Sequence, residues 1–538
     1  MGNKKWLLIL VGLALVIITA CSKDEEGKPL GEASDKDKEV LNEDDEVPIV
    51  NEEITLDIFA GQAPATNPDW NDVLIWNEYE KMTNIDVNWE MVPYESREEK
   101  RNLALGGGEL PDAFHGAGIP VSDQAKYGKE GVFIPLNDLI DEYAPNFKSI
   151  MEQYPEVEKS ITMPDGNIYA LPLIGDPEFA SYLIGPKPFI NKEWLDTLDM
   201  DMPETTDDYY NYLKAAKDHD PGDNDGVPFG GPDISQLYAY LRGSFGLANK
   251  GSSGGLLDVD PETDDYRFYP IADEYKELME YMHKLYEEGL IEKNIFSIDH
   301  NQYLANASEG KYGSVVWYSP RTIMGKEVGD DYEGMPALEG PHGDKMWTVK
   351  YDTVLTPGAF AITKENEYPA TTLRWADYFY GDEGMKMYFM GIEGETYEED
   401  ENGNPVYMDH ILNSEEGLTY EEELAKYLTF PGGGFPSMTT EKYFKGAESS
   451  PESLEAAEKL EKDMPEDPWI TPVHTKEEND ELRGFGSDIE KYVTEMRDKF
   501  ISGDEPLSNW DKYVKEIEKM NLDRYMEIKI DALERQNE

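Results

Sequence analysis

From Ile54 to Phe114 the chain switches back and forth between two periodicities, and this restricts the fold more than any other feature. Ile54–Ala60 (ITLDIFA) alternates as a strand does, and Asn71–Met82 (NDVLIWNEYEKM) sets Leu74, Trp76 and Tyr79 at helical spacing. Ile85–Val92 (IDVNWEMV) returns to strand alternation. A helix-like SREEKRNLAL then leads through Gly106-Gly107-Gly108 to LPDAF. Strand, helix, strand, helix, strand at this spacing is the unit of a mostly parallel sheet, so the fold class is α/β. The glycine triplet ends the helix and is no phosphate loop, since no GK[ST] follows.

Further along, Asp165-Gly166 reads as a hairpin turn, and helical patterns dominate from Trp194 onward. Asp273–Leu290 is a helix with Leu278, Met282 and Leu285 on one face and Gly289 as its stop. Lys311–Tyr318 and Thr356–Thr363 read as strands, and the C-terminal fifth is helical. A chain of 538 residues is too long for one core and implies two lobes or domains.

Charge removes whole classes of function. The 113 acidic residues outnumber 48 Lys and Arg, a formal charge of −65 that excludes a nucleic-acid binder, which needs a basic face. Such a surface holds water and counterions, which suits high salt or an alkaline exterior and also maintains solubility. With 62 aromatic residues the chain is not compositionally disordered.

The N-terminus is an address. Met1–Lys5 carries two lysines and no acid, and Trp6–Ala20 is then an apolar run interrupted by little but Gly12 and Thr19. As a helix that run is about 22 Å long, short of the ~20 residues that cross a bilayer, so it reads as an export signal over residues 1–20. It ends in Ile18-Thr19-Ala20-Cys21, which resembles the bacterial lipobox. The resemblance implies cleavage before Cys21, a diacylglycerol thioether on its sulfur, and a membrane-anchored protein on the extracellular face. Cys21 is the only cysteine, so no disulfide framework or thiolate metal site exists. Residues 21–53, rich in Lys, Asp, Glu and Ser, read as a disordered acidic tether.

Several segments, in order along nearly the whole remaining chain, carry a family resemblance. They are GGELPDAF at 107–114, GNIYALP at 166–172 and FINKEWLDTLDMDMPETTDDYYNYLKAAKDHDP at 189–221, followed by YMHKLYEEGLIEKN at 281–294. RWADYFYGDEGMKMYFMGIEGETYE at 374–398 and KFISGDEPLSNWDKYVKEIEKM at 499–520 complete the set. Together they resemble the extracellular solute-binding proteins of carbohydrate ABC transporters, most closely the large Gram-positive lipoprotein branch associated with oligosaccharide uptake. The resemblance implies a two-lobed periplasmic-binding-protein-like fold with hinge strands and a helical C-terminal region. Its crossings would lie near Leu171–Asp176, Tyr351–Gly358 and Phe430–Phe435. Lobe 1 would then hold 54–173 and 357–430, and lobe 2 would hold 176–352 and 436–538. An oligosaccharide would sit in the cleft, and a monomeric receptor without cofactor would deliver it to permease subunits on separate chains.

A sugar ring has apolar C–H faces and a polar rim, so its site combines aromatic platforms with carboxylates, amides or Arg on loops at strand ends. The candidates are Asp69, Trp70 and Asn71 after the first strand, and His115 after LPDAF. In lobe 2 they are Tyr238, Tyr240, Arg242, Trp317 and Tyr318, with Phe435 beside Gly432-Gly433-Gly434. Trp76, Trp194 and Trp375 lie within helical patterns and are assigned to the core. Asp220, Asp223 and Asp225 resemble part of a calcium loop, but the twelfth ligand position falls on Pro232, which favours a polar turn.

Enzymatic readings find less. Gly251-Ser252-Ser253-Gly254-Gly255 satisfies G-x-S-x-G without the strand and helix a nucleophile elbow needs, so it is a flexible loop. The seven histidines form no HExxH. A surface-anchored polysaccharide hydrolase is the alternative function, but among 113 acids no carboxylate pair stands out.

Overall fold

The structure is a computed structural model that describes residues 30–42, 47–64, 66–222, 225–414, 416, 418, 420–431 and 433–537. The export signal, Cys21 and Asp223 lie outside the described residues.

The sequence alternation becomes a six-stranded sheet. From one edge its strands are Ser437–Thr439, Leu171–Gly175, Val354–Ile362, Ala113–His115, Ile54–Gln62 and Ile85–Pro93. Ile54–Gln62 runs parallel to Ile85–Pro93, Ile54 opposite Ile85, and parallel to Ala113–His115 on its other side. Val354–Ile362 is antiparallel to both its neighbours. Helices Leu74–Thr83 and Tyr94–Leu105 connect the parallel strands; Asn84, in the left-handed conformation at φ 62°, ends the first, and Gly106 caps the second. A second sheet orders Tyr332–Gly334, Lys187–Asn191, Tyr312–Trp317 and Val227–Phe229.

Each sheet has its own core. The main apolar cluster around the first draws on residues within 40–174 and 354–443, whereas that around the second draws on 184–347 and 457–525. The chain therefore passes between two lobes three times. The first two passages fall in 175–183 and 348–353. The third lies later than the expected Phe430–Phe435, because Ser437–Thr439 still pairs in the first sheet, Ser437 opposite Leu173. Phe435 belongs to the first core, 4.9 Å from the Tyr388 ring. Only after Tyr443 does the chain leave, reaching helix Pro451–Glu461, whose Ala456 packs against Gly334 of the second sheet.

The tether expected over 21–53 needs a larger correction: residues 30–42 and 47–53 are folded onto the first lobe. Ser34 caps helix Asp35–Val40 through a capping box with Asp37. The Asp37 carboxylate, wholly buried, accepts from Ala370 N (3.2 Å), Thr371 N (2.9 Å) and Thr371 Oγ1 (2.7 Å). These groups belong to the first turn of helix Pro369–Asp377, where backbone N–H groups lack intrahelical partners and attract negative charge. Val40, Ile49 and Val50 then enter the first core. The polar composition concealed three apolar anchors and one acid with a fixed task.

Asp37→Ala should destabilise the protein by about 2–3 kcal/mol, because it strips buried donors of a charged partner. Urea unfolding measures this, and an unchanged midpoint would contradict the docking of this segment.

Candidate functional site

The C-terminal ends of Ile54–Gln62, Ala113–His115 and Leu171–Gly175 and the N-terminal end of antiparallel Val354–Ile362 share one edge of the first sheet. Strand ends of this kind are where α/β sheets present their loops to ligands. Beside the Val354–Ile362 end two adjoining cavities open, of about 290 and 250 Å³, sharing Ser160, Ser252, Ser253, Lys350, Tyr351 and Asp352. Val121, Leu355 and Pro357 extend the first, while Glu156 and Trp469 wall the second. Both lobes thus contribute to one space.

Its walls are held by specific bonds. Asp352 accepts from Ser253 Oγ at 2.5 Å and from Thr471 N at 3.1 Å, tying the second passage to the 251–255 loop and to the C-terminal segment. Ser252 Oγ donates to Lys350 O at 2.8 Å, and Trp469 N to Lys250 O at 2.9 Å. The G-x-S-x-G loop is therefore a cavity wall whose hydroxyls are spent on backbone and carboxylate oxygens. A side chain at Gly254 would meet the Trp469 ring at 2.7 Å, so the glycine lets the indole approach the loop closely.

Tyr351 joins this space to the second sheet. It is 41% exposed, its N–H donates to Leu183 O at 2.7 Å, and its ring lies so close to Gly185 that a Cβ there would come within 2.7 Å. Burial, and next the neighbouring Tyr351, push the Tyr318 hydroxyl well above the usual tyrosine range. Trp317, at the end of its strand, packs edge-on to Tyr318 at 5.6 Å. Of the sequence candidates, these two are brought near the cavity.

The three passages meet at Ser181–Gly185. Lys187 Nζ, sealed from water, donates to Ser181 O (2.8 Å) and Gly185 O (2.7 Å). Burial pushes its ammonium down to about 8. Ser181 Oγ donates to Glu448 O in the third passage at 2.6 Å, and the second passage docks through Tyr351.

The other candidates lie elsewhere. Trp70 and His115 are each 2% exposed and sit in a first-lobe nest with Trp76 and Trp89; the Trp70 and His115 rings stand perpendicular at 5.4 Å. Three tryptophans and a histidine bury one another, so neither Trp70 nor His115 presents a ring face to a solute. Asp69 and Asn71 are exposed, but Asp69 Oδ1 is occupied by Asn71 N (3.0 Å) and Asn71 Nδ2 (2.8 Å) in a capping turn. Tyr238 and Tyr240 are buried in the second core, Tyr240 donating to Pro336 O at 3.0 Å. Arg242 is bound to Thr348, through Oγ1 at 2.7 Å and O at 3.2 Å. Asp220 accepts from Gly226 N (2.9 Å) and Asp225 N (3.2 Å), the bonding of a polar turn. Among the described residues no group of three metal-ligating side chains forms. Sequence reasoning missed Tyr351, Trp469, Lys350 and Asp352, because their roles arise where distant segments meet. The one local signal was a tryptophan among prolines in PWITP.

Burial pushes the His115 imidazole down to about 3, against 6.5 in the unfolded chain. Below pH 6.5 the unfolded state takes a proton that the folded state refuses, so this contribution is intact above 6.5 and is lost as pH falls toward 3. His115→Phe should flatten the loss of thermal stability between about pH 6.5 and 4 relative to wild type. Superimposable pH profiles would contradict a buried neutral imidazole.

Comparison with known proteins agrees with this architecture. The family model for bacterial extracellular solute-binding protein matches residues 65–386. The fructooligosaccharide ABC transporter substrate-binding protein FusA of Streptococcus pneumoniae is 30% identical over 505 residues, covering 89% of this chain and 90% of that protein. The structure of FusA in complex with kestose superposes with a TM-score of 0.72 at 27% identity, over 90% of this chain and 99% of that one. Lipoprotein LipO of Bacillus subtilis is 23% identical, covering 93% of this chain and 92% of its own. The family binds and does not catalyse, which leaves the hydrolase alternative without support. The chain belongs to the bacterial extracellular solute-binding proteins.

Proposed function

We propose that the protein captures an oligosaccharide in the space between its lobes and delivers it to an ABC importer formed by separate chains. The observation that carries this is the pair of adjoining cavities where first-lobe, second-lobe and passage residues meet, with Tyr351 and Trp469 offering aromatic surface and Glu156, Lys350 and Asp352 offering polar groups. The relatives named for oligosaccharide uptake favour the same solute class. Trp317 and Tyr318 extend the proposed site along the second lobe. A guest touching both lobes binds a closed arrangement better than an open one and shifts the equilibrium between them. The protein works as a monomer, and acylation of Cys21, the single cysteine, holds it at the extracellular face of the membrane.

Thermal-shift titration with kestose and a wider set of neutral oligosaccharides tests the reading, because a ligand that binds only the folded state raises the melting temperature. Tyr351→Ala and Trp469→Ala should each weaken the best ligand by about tenfold or more while changing the ligand-free melting temperature by no more than about 2 °C. If neither substitution alters affinity, the cavity is not the site. Trp70→Ala should instead destabilise the fold by about 3–5 kcal/mol. Cys21→Ser should release the protein from the membrane fraction; retention there would contradict the anchor.

A further inference from the structure

Resting on the oligosaccharide reading, we propose that the site accepts uncharged oligosaccharides and rejects uronate chains, with Glu156 and Asp352 setting the discrimination. Among the described residues lining the two cavities, these two acids face one basic residue, Lys350, and no arginine is present. The chemistry of the two groups decides which sugars fit. An acidic side chain of this kind is an acceptor, and a neutral sugar presents a rim of hydroxyls that donate to it. A uronate replaces one such donor with a further acceptor of the same sign, so it loses the bond and gains repulsion.

The planar fork of an arginine is the side chain best matched to a carboxylate, whereas a lysine such as Lys350 meets it only as a point charge. The arginines around this edge of the first sheet are already engaged. Arg97 Nη1 donates to Gly116 O at 3.1 Å, with its guanidinium 3.9 Å from the centre of the Tyr94 ring. Arg101 Nη1 donates to Ala117 O at 3.1 Å and also to Gly118 O. Arg483 reaches from helix Lys476–Ser502 to Ser122 Oγ at 3.0 Å. Beyond the walls, the formal charge of −65 repels a polyanion on approach, most strongly at low salt. Asp352 also fixes the cavity wall through Ser253 and Thr471, so Glu156, in the first turn of helix Pro155–Ile161, is the position where charge separates from architecture.

Isothermal titration of the purified protein at about 20 mM salt, with paired probes, reads this selectivity. Each neutral fructan, glucan and galactan trisaccharide is compared with the same sugar carrying one primary hydroxyl oxidised to a carboxylate, and trigalacturonate is added as a natural uronate. The expected result is that a neutral sugar binds, that its oxidised partner binds about tenfold more weakly or worse, and that trigalacturonate gives no heat. Glu156→Gln should narrow the parent-to-oxidised ratio by about threefold or more, as should raising salt to about 0.5 M. A purely structural role for Glu156 would shift both affinities together and leave the ratio unchanged, which would overturn its assignment. Equal affinity within the pairs, or trigalacturonate binding more tightly than every neutral sugar, would overturn the charge rule while leaving oligosaccharide binding intact. No binding by any sugar would overturn the oligosaccharide reading itself, and the charge rule with it.

Discussion

The Lys187 ammonium closes the turn at which the passages between the two lobes meet. Removing such a group from water costs several kcal/mol, and here two carbonyls 2.7 and 2.8 Å away offset that cost. The lysine closes the Ser181–Gly185 turn, to which the other two passages are bonded through Tyr351 N and the Glu448 carbonyl. A small hydrogen-bonded joint links all three connections, and the lobes on either side keep separate cores. Motion about such a joint need not disturb either core, which is the property hinge closure requires.

Energy available from a guest suits this construction. A micromolar ligand corresponds to about 8 kcal/mol in standard-state terms, and only the part that differs between open and closed arrangements moves the hinge. The cavity is lined by Lys350, Tyr351 and Asp352 of the second passage, so a solute there would touch a segment that joins the two lobes. Serine hydroxyls tied to Lys350 O and Asp352 keep the second-lobe wall in register with the joint.

The sequence disclosed the lobes better than the site. Ile54–Gln62 and Ile85–Pro93 were visible because their alternation reflects a sheet covered on one face early in each strand, and the segments at 311–318 and 356–363 were visible as short apolar runs. The family resemblance supplied what pattern alone could not, namely that distant strands share a sheet. Trp70 and His115 lie away from the proposed site for a physical reason. Trp70 and His115 follow strands as ligand loops do, yet whether such a ring faces solvent is decided by Trp76 and Trp89, which come from other segments. Tyr351 and Trp469 carry no local mark because the surfaces they rest on are supplied by Gly185 and Gly254, far away in the chain. Residues 30–53 misled through composition: one buried acid, Asp37, docks a segment whose polarity suggests a free tether.

The most direct test of lobe closure is small-angle scattering of the purified protein with and without a saturating oligosaccharide. Closure about the Ser181–Gly185 joint predicts a smaller radius of gyration with the sugar bound, and a contraction in Tyr351→Ala that reaches the same size only at sugar concentrations about tenfold or more higher. Identical scattering curves at demonstrated saturation would contradict the account, because a guest could then occupy the protein without drawing its lobes together.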